Sequence, residues 1–204
     1  IRLVEVGKRG DCRSTPQIFI EHKLVQLARQ GLTVARVKGG DPHVFGRGGE
    51  EAETLTRAGV TVEVVNGITA GIGVPASLGI PVTHRDICRG VTFVTGNARA
   101  GAKLNWQALV AGGTTLVIYM GLRNLPAIVE SLRRAGMAAG MPVAVVQNGT
   151  LPTQKQVVST LAQVTAAVTS AQLQSPALVV VGEVVHYASI ANVQAVIEEA
   201  RKTA

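Results

Sequence analysis

The sequence predicts an α/β protein built as two lobes, and three observations carry that expectation. Short runs rich in β-branched residues alternate with polar or amphipathic segments, the pattern of parallel strands joined by helical crossovers. The hydrophobic fraction is 47% while aromatic residues make up only 3%, so aliphatic side chains must fill the core. Three amphipathic segments run into a glycine, the residue favoured where a helix closes in left-handed backbone.

Taken in order, strands are expected at 3–6, 33–37, 61–64, 91–95, 115–119, 143–146 and 178–181. Helices are expected at 16–30 before Gly31, at 49–58 before Gly59 and at 125–135 before Gly136. A polar, turn-rich stretch at 85–90 precedes a fresh strand, which places the seam between an N-terminal lobe over 1–87 and a C-terminal lobe over 88–204. A chain of 204 residues can bury a core in each lobe without disulfides or metals. No repeat and no low-complexity tract interrupts this pattern.

Composition narrows the function. No apolar run reaches the roughly 20 residues of a membrane span, so a soluble protein with no membrane partner is expected. Residues 1–6 mix apolar and charged side chains, unlike a signal peptide, and the expected location is cytoplasmic. Cys12 and Cys88 lie far apart with no histidine at zinc-site spacing, so both are expected as reduced thiols and no metal is expected. The formal charge of +7 draws anionic partners: nucleic acid, acidic lipid or a polycarboxylate small molecule.

The densest chemical signal is Val37-Lys38-Gly39-Gly40-Asp41-Pro42-His43-Val44-Phe45-Gly46-Arg47-Gly48-Gly49-Glu50-Glu51, between an expected strand and an expected helix. Its glycines let backbone approach a ligand closely, and open α/β sheets bind ligands at the carboxyl ends of strands. A phosphate-binding Walker loop is excluded because no Gly-Lys-Ser/Thr follows, and the glycine spacing does not make a dinucleotide fingerprint. Asp41 instead offers a carboxylate that can accept from hydroxyl or amino groups.

This segment closely resembles the glycine-aspartate-proline signature of the tetrapyrrole methylase family. Further segments follow in the family's order: Val6-Gly7-Lys8-Arg9, Ser14-x-Pro16-Gln17, Asn66-Gly67-Ile68-Thr69-Ala70, Gly79-Ile80-Pro81-Val82-Thr83-His84-Arg85-Asp86, Tyr119-Met120-Gly121, Asn148-Gly149-Thr150 and Ser175-Pro176-Ala177 with Gly182-Glu183-Val184-Val185. Two departures stand out. The family's opening glycine-proline-glycine-aspartate loop does not precede Ile1, so on the family's layout the sequence starts inside the first domain. Asn66 also replaces the usual proline.

The resemblance implies two α/β lobes of the tetrapyrrole methylase type, with S-adenosylmethionine held in the cleft between them and S-adenosylhomocysteine released. Carried onto matching positions, the cofactor contacts are Gly39, Gly40, Asp41, Thr69, Ala70, Met120, Gly149 and Ala177. Within the family the segments are most similar to the uroporphyrinogen-III C-methyltransferases. That similarity implies C-methylation of uroporphyrinogen III to precorrin-2, by way of precorrin-1, for siroheme, cobalamin or haem d1 synthesis. A substrate with eight carboxylates calls for guanidinium forks, and Arg47 and Arg85 are the expected clamps, with Lys8 and Arg9 adding positive field. Glu50 is the expected base or pyrrole N–H acceptor, so the expected catalytic set is Glu50, Arg47 and Arg85, and the same three bind substrate. His43 and His84 flank these motifs as lesser candidates for proton transfer.

The rival readings within the family are a later precorrin C-methyltransferase, a diphthine synthase and a ribosomal-RNA ribose methyltransferase. Outside it, a basic nucleic-acid-binding module would want aromatic residues interleaved with the cations, and the sequence has one tryptophan, two tyrosines and three phenylalanines. Nucleic acid is therefore not an expected partner. A nicotinamide dehydrogenase would want an acidic residue about 20 positions beyond a glycine fingerprint, and none is placed so. A homodimer is the expected assembly.

Overall fold

The computed structural model describes residues 1–7, 15–97 and 104–188, so the expectations at Lys8, Arg9 and Cys12 lie outside the described residues. The chain divides into two compact units, Ile1–Thr69 and Ala70–Ala204.

In the first unit, helix α1 (Gln17–Arg29) buries Ile20 and Leu24 and packs against helix α2 (Gly48–Arg57). Both end as expected, with Gly31 at φ 74° and Gly59 at φ 76°, each just beyond the last helical turn. Glu50 and Glu51 occupy the first turn of α2 and Arg57 its last, so the charges complement the helix dipole at both ends.

The strands expected at 3–6, 33–37 and 61–64 are not formed: among the described residues these segments enter no ladder. Their β-branched composition encodes a tendency only, and a strand needs a neighbour to satisfy its backbone. Here Leu3 is 90% exposed and Val37 81% exposed. Segments 33–37 and 61–64 flank a cavity of about 720 Å³ whose floor includes Leu24 and Leu55.

The second unit is built on one five-stranded sheet: β1 (Val91–Thr95), β2 (Thr115–Tyr119), β3 (Pro142–Gln147), β4 (Lys155–Thr160) and β5 (Ala177–Val181). The order across the sheet is β1-β2-β5-β3-β4. Only β1 and β2 run parallel, with Val91 opposite Thr115, while the other three pairings are antiparallel. The all-parallel expectation is thereby corrected. Residues 148–154 are too few for a crossover, so β4 must return antiparallel beside β3.

The sheet is covered on both faces, which explains why its central strands read as unbroken aliphatic runs. On one face Leu116, Ile118, Val143, Val145, Val179 and Val181 pack with α5 (Leu125–Arg134) and α6 (Val164–Ser170). On the other, Val117, Ala144, Val146 and Val180 pack with Val74 of α3 (Ala70–Ser77), Leu78, Ile80 and Val184. Helix α4 (Trp106–Ala111) is capped by the Asn105 side chain, which accepts from Ala108 N. Helix α5 ends before Gly136 at φ 95°, as expected.

Candidate functional site

One rim of the second unit collects four of the expected cofactor positions. Tyr119 closes β2 opposite Leu178, and Gln147 closes β3 opposite Ala177, so the end of β2, the end of β3 and the start of β5 share one edge of the sheet. Met120 follows β2 there with φ 54° and is half-exposed, the posture of a residue that faces outward rather than filling the core. Asn148 and Thr150 on either side of Gly149 also have positive φ, at 50° and 67°.

Gly149 has no room for a side chain, since an added Cβ would stand 2.5 Å from Val74 Cγ2 on α3. The start of α3 reaches the same rim. Gly71 N donates to Tyr119 Oη at 2.5 Å, which brings Ala70 beside the end of β2. Ala70, Met120, Gly149 and Ala177 therefore lie along one rim, and three of the four are alanine or glycine. Sequence reasoning missed Gly96, which follows β1 and lies so close to Gly121 that an added Cβ would be 2.5 Å from its Cα. Its signal was the Thr95-Gly96-Asn97 step directly after a strand.

Arg85 belongs to a tight turn in this second unit. His84 and Cys88 bridge each other, with N–H···O distances of 2.8 Å in both directions, and Arg85 is exposed between them. Among the described residues its guanidinium makes no ion pair.

The first unit arranges the glycine loop. Asp41 uses its carboxylate on its own chain: Oδ1 accepts from His43 N at 2.8 Å and Val44 N at 3.2 Å, and Oδ2 from Gly67 N at 3.4 Å. These amide donors, His43 foremost, hold its carboxyl below the ordinary aspartate value. Gly67 crosses Gly40 so tightly that an added Cβ would lie 2.3 Å from Gly40 O. That contact brings Gly39–Asp41 against the segment leading to Thr69.

Arg47 caps α2 in left-handed backbone at φ 58°. Its guanidinium forks onto Glu50, Nε donating to Oε1 at 2.9 Å and Nη2 pairing with Oε2. The hydrogen bond to Glu50 raises the arginine above its ordinary value, so Arg47 is charged at every working pH. Arg47 and Glu50 are thus brought together, each as the other's partner.

The structurally decisive carboxylate is the next residue in the first turn of α2. Glu51 is 4% exposed and binds Lys38 Nζ at 2.8 Å, Gln17 Nε2 at 2.9 Å and Arg36 Nε at 3.4 Å. Lys38 Nζ also donates to Gly46 O at 2.6 Å and so ties the glycine loop to the helix it precedes. The signal for this was Lys38 and Arg36 in the approach to the loop. His43 is exposed beside Asp41, and among the described residues no group of histidine, cysteine, aspartate or glutamate is arranged to hold a metal ion. Among those residues no helix is long and apolar enough to cross a membrane.

Comparison with known proteins identifies the family. The family model described as Tetrapyrrole (Corrin/Porphyrin) Methylases matches residues 3–165. The chain is 50% identical over 183 residues to the uroporphyrinogen-III C-methyltransferase of Pseudomonas aeruginosa, covering 90% of this chain and 75% of that one. It is 47% identical to a siroheme synthase of Thiobacillus denitrificans, of which it spans 38%. Among solved structures, the Thermus thermophilus uroporphyrin-III C-methyltransferase in complex with S-adenyl homocysteine superposes with TM-score 0.72 at 35% identity, over 83% of this chain and 74% of that one. A cobalt precorrin-4 methyltransferase shares the fold, with TM-score 0.75 at 23% identity. A small-residue rim at one end of a mixed sheet, a glycine loop held by its own aspartate and a family model spanning most of the sequence lead to one conclusion: the chain belongs to the tetrapyrrole methylase family.

Proposed function

We propose that this chain catalyses S-adenosylmethionine-dependent C-methylation of uroporphyrinogen III, giving precorrin-2 by way of precorrin-1. The observation that carries the reading is the rim where Ala70, Met120, Gly149 and Ala177 meet. The rim suits a ligand held by main-chain groups: Gly149 packs too closely on Val74 for any Cβ, and the turns at Met120 and at Asn148–Thr150 hold positive φ in non-glycine residues. The identity to curated uroporphyrinogen-III C-methyltransferases supports the substrate.

When bound, S-adenosylmethionine supplies an electrophilic methyl group on a positively charged sulfur. Ala70, Met120, Gly149 and Ala177 hold it through main-chain groups and small side chains. Gly39, Gly40, Asp41 and Thr69 are assigned to the same ligand on the family resemblance. Asp41 then acts chiefly by fixing the loop that presents the Gly39 and Gly40 backbone, because its own oxygens are already engaged.

Arg85 meets substrate carboxylates directly, since it has no competing partner among the described residues. Arg47 meets them by exchange: a substrate carboxylate that takes its fork releases Glu50. With Arg47 engaged by substrate, Glu50 accepts a proton from the substrate, from the methylated ring carbon or a pyrrole N–H, and the proton moves onto Oε1 or Oε2. Most of the rate then comes from placement rather than from acid–base strength. The lobe boundary at 87/88, a homodimer and a cytoplasmic location belong to the same proposal, as does a role in siroheme, cobalamin or haem d1 synthesis.

The test is methyl transfer from radiolabelled S-adenosylmethionine to uroporphyrinogen III by the purified protein. Arg85→Ala is expected to raise KM for the tetrapyrrole roughly tenfold, and Glu50→Gln to lower kcat with cofactor affinity unchanged. No transfer to uroporphyrinogen III would refute the proposal. Loss of cofactor binding in Glu50→Gln would assign that residue to the fold instead.

A further inference from the structure

We infer that Tyr187 is a positioning residue for Arg85, acting through His84. The inference rests on the reading of Arg85 as a substrate-carboxylate clamp. All the groups involved lie within the second unit.

Arg85 sits in a five-residue turn whose two ends are pinned independently. At the Cys88 end the anchor is the core: Cys88 is 7% exposed, and its Sγ donates to Gly90 O at 3.0 Å while accepting from Thr115 N at 3.0 Å at the start of β2. At the His84 end the anchor is Tyr187. The two rings stack with centroids 5.2 Å apart and planes inclined by 25°. Tyr187 Oη also stands 3.3 Å from His84 Nε2.

The other ring nitrogen is occupied as well. His84 Nδ1 accepts from Asp86 N at 3.3 Å, which places the neutral ring's proton on Nε2, donating to the tyrosine oxygen. With both nitrogens engaged, His84 serves as a bracket for the turn rather than as a proton shuttle. Arg85, between His84 and Asp86, inherits that restraint in its backbone. Its long side chain then samples less space before meeting an anion, and pre-organisation of this kind shows in ground-state affinity.

Tyr187 is not needed to hold its own segment. The short helical turn Glu183–Tyr187 is anchored by Val184 and Val185, both fully buried, whereas Tyr187 is 45% exposed. A half-exposed tyrosine at the end of an already anchored turn, with its ring spent on one histidine, is placed to act on what that histidine carries.

The experiment is a double-mutant cycle read as a KM-against-kcat split for uroporphyrinogen III, using the intact protein. Tyr187→Ala is expected to raise KM several-fold, roughly half the logarithmic effect of Arg85→Ala, with kcat within about twofold of wild type. Tyr187→Phe keeps the stack and is expected to recover most of that loss. S-adenosylhomocysteine affinity is expected to stay unchanged in each variant, showing that the fold is intact. In the Arg85→Ala background, Tyr187→Ala is expected to add nothing further. An additive rise in the double variant, or a normal KM in Tyr187→Ala alone, overturns the inference and leaves the Arg85 clamp standing. A normal KM in Arg85→Ala overturns the clamp reading first and this inference with it.

Discussion

Glu51 holds a charge where solvent barely reaches it, and three partners share the task of keeping it there. Burial alone pushes its carboxyl up, but the hydrogen bonds from Lys38 and Gln17 and the charge of Arg36 outweigh burial, and the group titrates below its ordinary value of 4.5. As pH falls, the unfolded chain therefore takes up this proton before the folded one does. The stabilisation is complete above 4.5 and is lost as pH drops through the lower folded value. Glu51→Gln leaves Lys38 and Arg36 without their carboxylate, and the expected loss in urea denaturation near neutral pH is about 3 kcal/mol. Against wild type, that difference is expected to shrink as the acid range is entered. A gap that stays constant from neutral to strongly acid pH would show that Glu51 contributes packing and not charge.

At the scale of elements, the two units are expected to differ in local stability. Strands β3 and β5 pair on both edges and are buried on both faces, so their amides are expected to exchange slowest. Residues 33–37 and 61–64 enter no ladder among the described residues, and their amides are expected to exchange orders of magnitude faster. Hydrogen exchange followed by mass spectrometry measures both at once. Protection of 33–37 equal to that of β5 would contradict the unpaired description.

The same contrast shows what was legible beforehand. Strands β1 and β2 were readable to the residue because aliphatic and β-branched side chains fill both faces of a covered sheet. The ends of α1, α2 and α5 were readable because Gly31, Gly59 and Gly136 stand where left-handed backbone closes a helix. Strand β4 was not: Lys-Gln-Val-Val-Ser-Thr offers two adjacent aliphatics on a half-exposed edge, too little for a periodic signal. Helix α3 was hidden by Gly71, Gly73 and Pro75, which oppose helix locally, while burial of Val74 and Leu78 stabilises it in place. Strand direction left its only trace in the shortness of 148–154.

For the whole molecule, the tight backbone crossings at the candidate site were legible as glycines, because Gly67 beside Gly40 and Gly149 beside Val74 leave no room for a Cβ. The charged network was less so. The fork between Arg47 and Glu50 and the burial of Glu51 depend on which face of α2 turns toward α1, and adjacent glutamates look alike in sequence. The +7 charge fits a polycarboxylate substrate, yet an anionic partner of any kind would use it. What would separate a methyltransferase from a general anion binder is cofactor binding at the rim proposed for the second unit. Calorimetric titration of the protein with S-adenosylhomocysteine, and separately with NAD, tests that claim most directly. Saturable micromolar binding of S-adenosylhomocysteine with no heat from NAD is expected, whereas binding of NAD alone, or of neither, would contradict a cofactor site of this class.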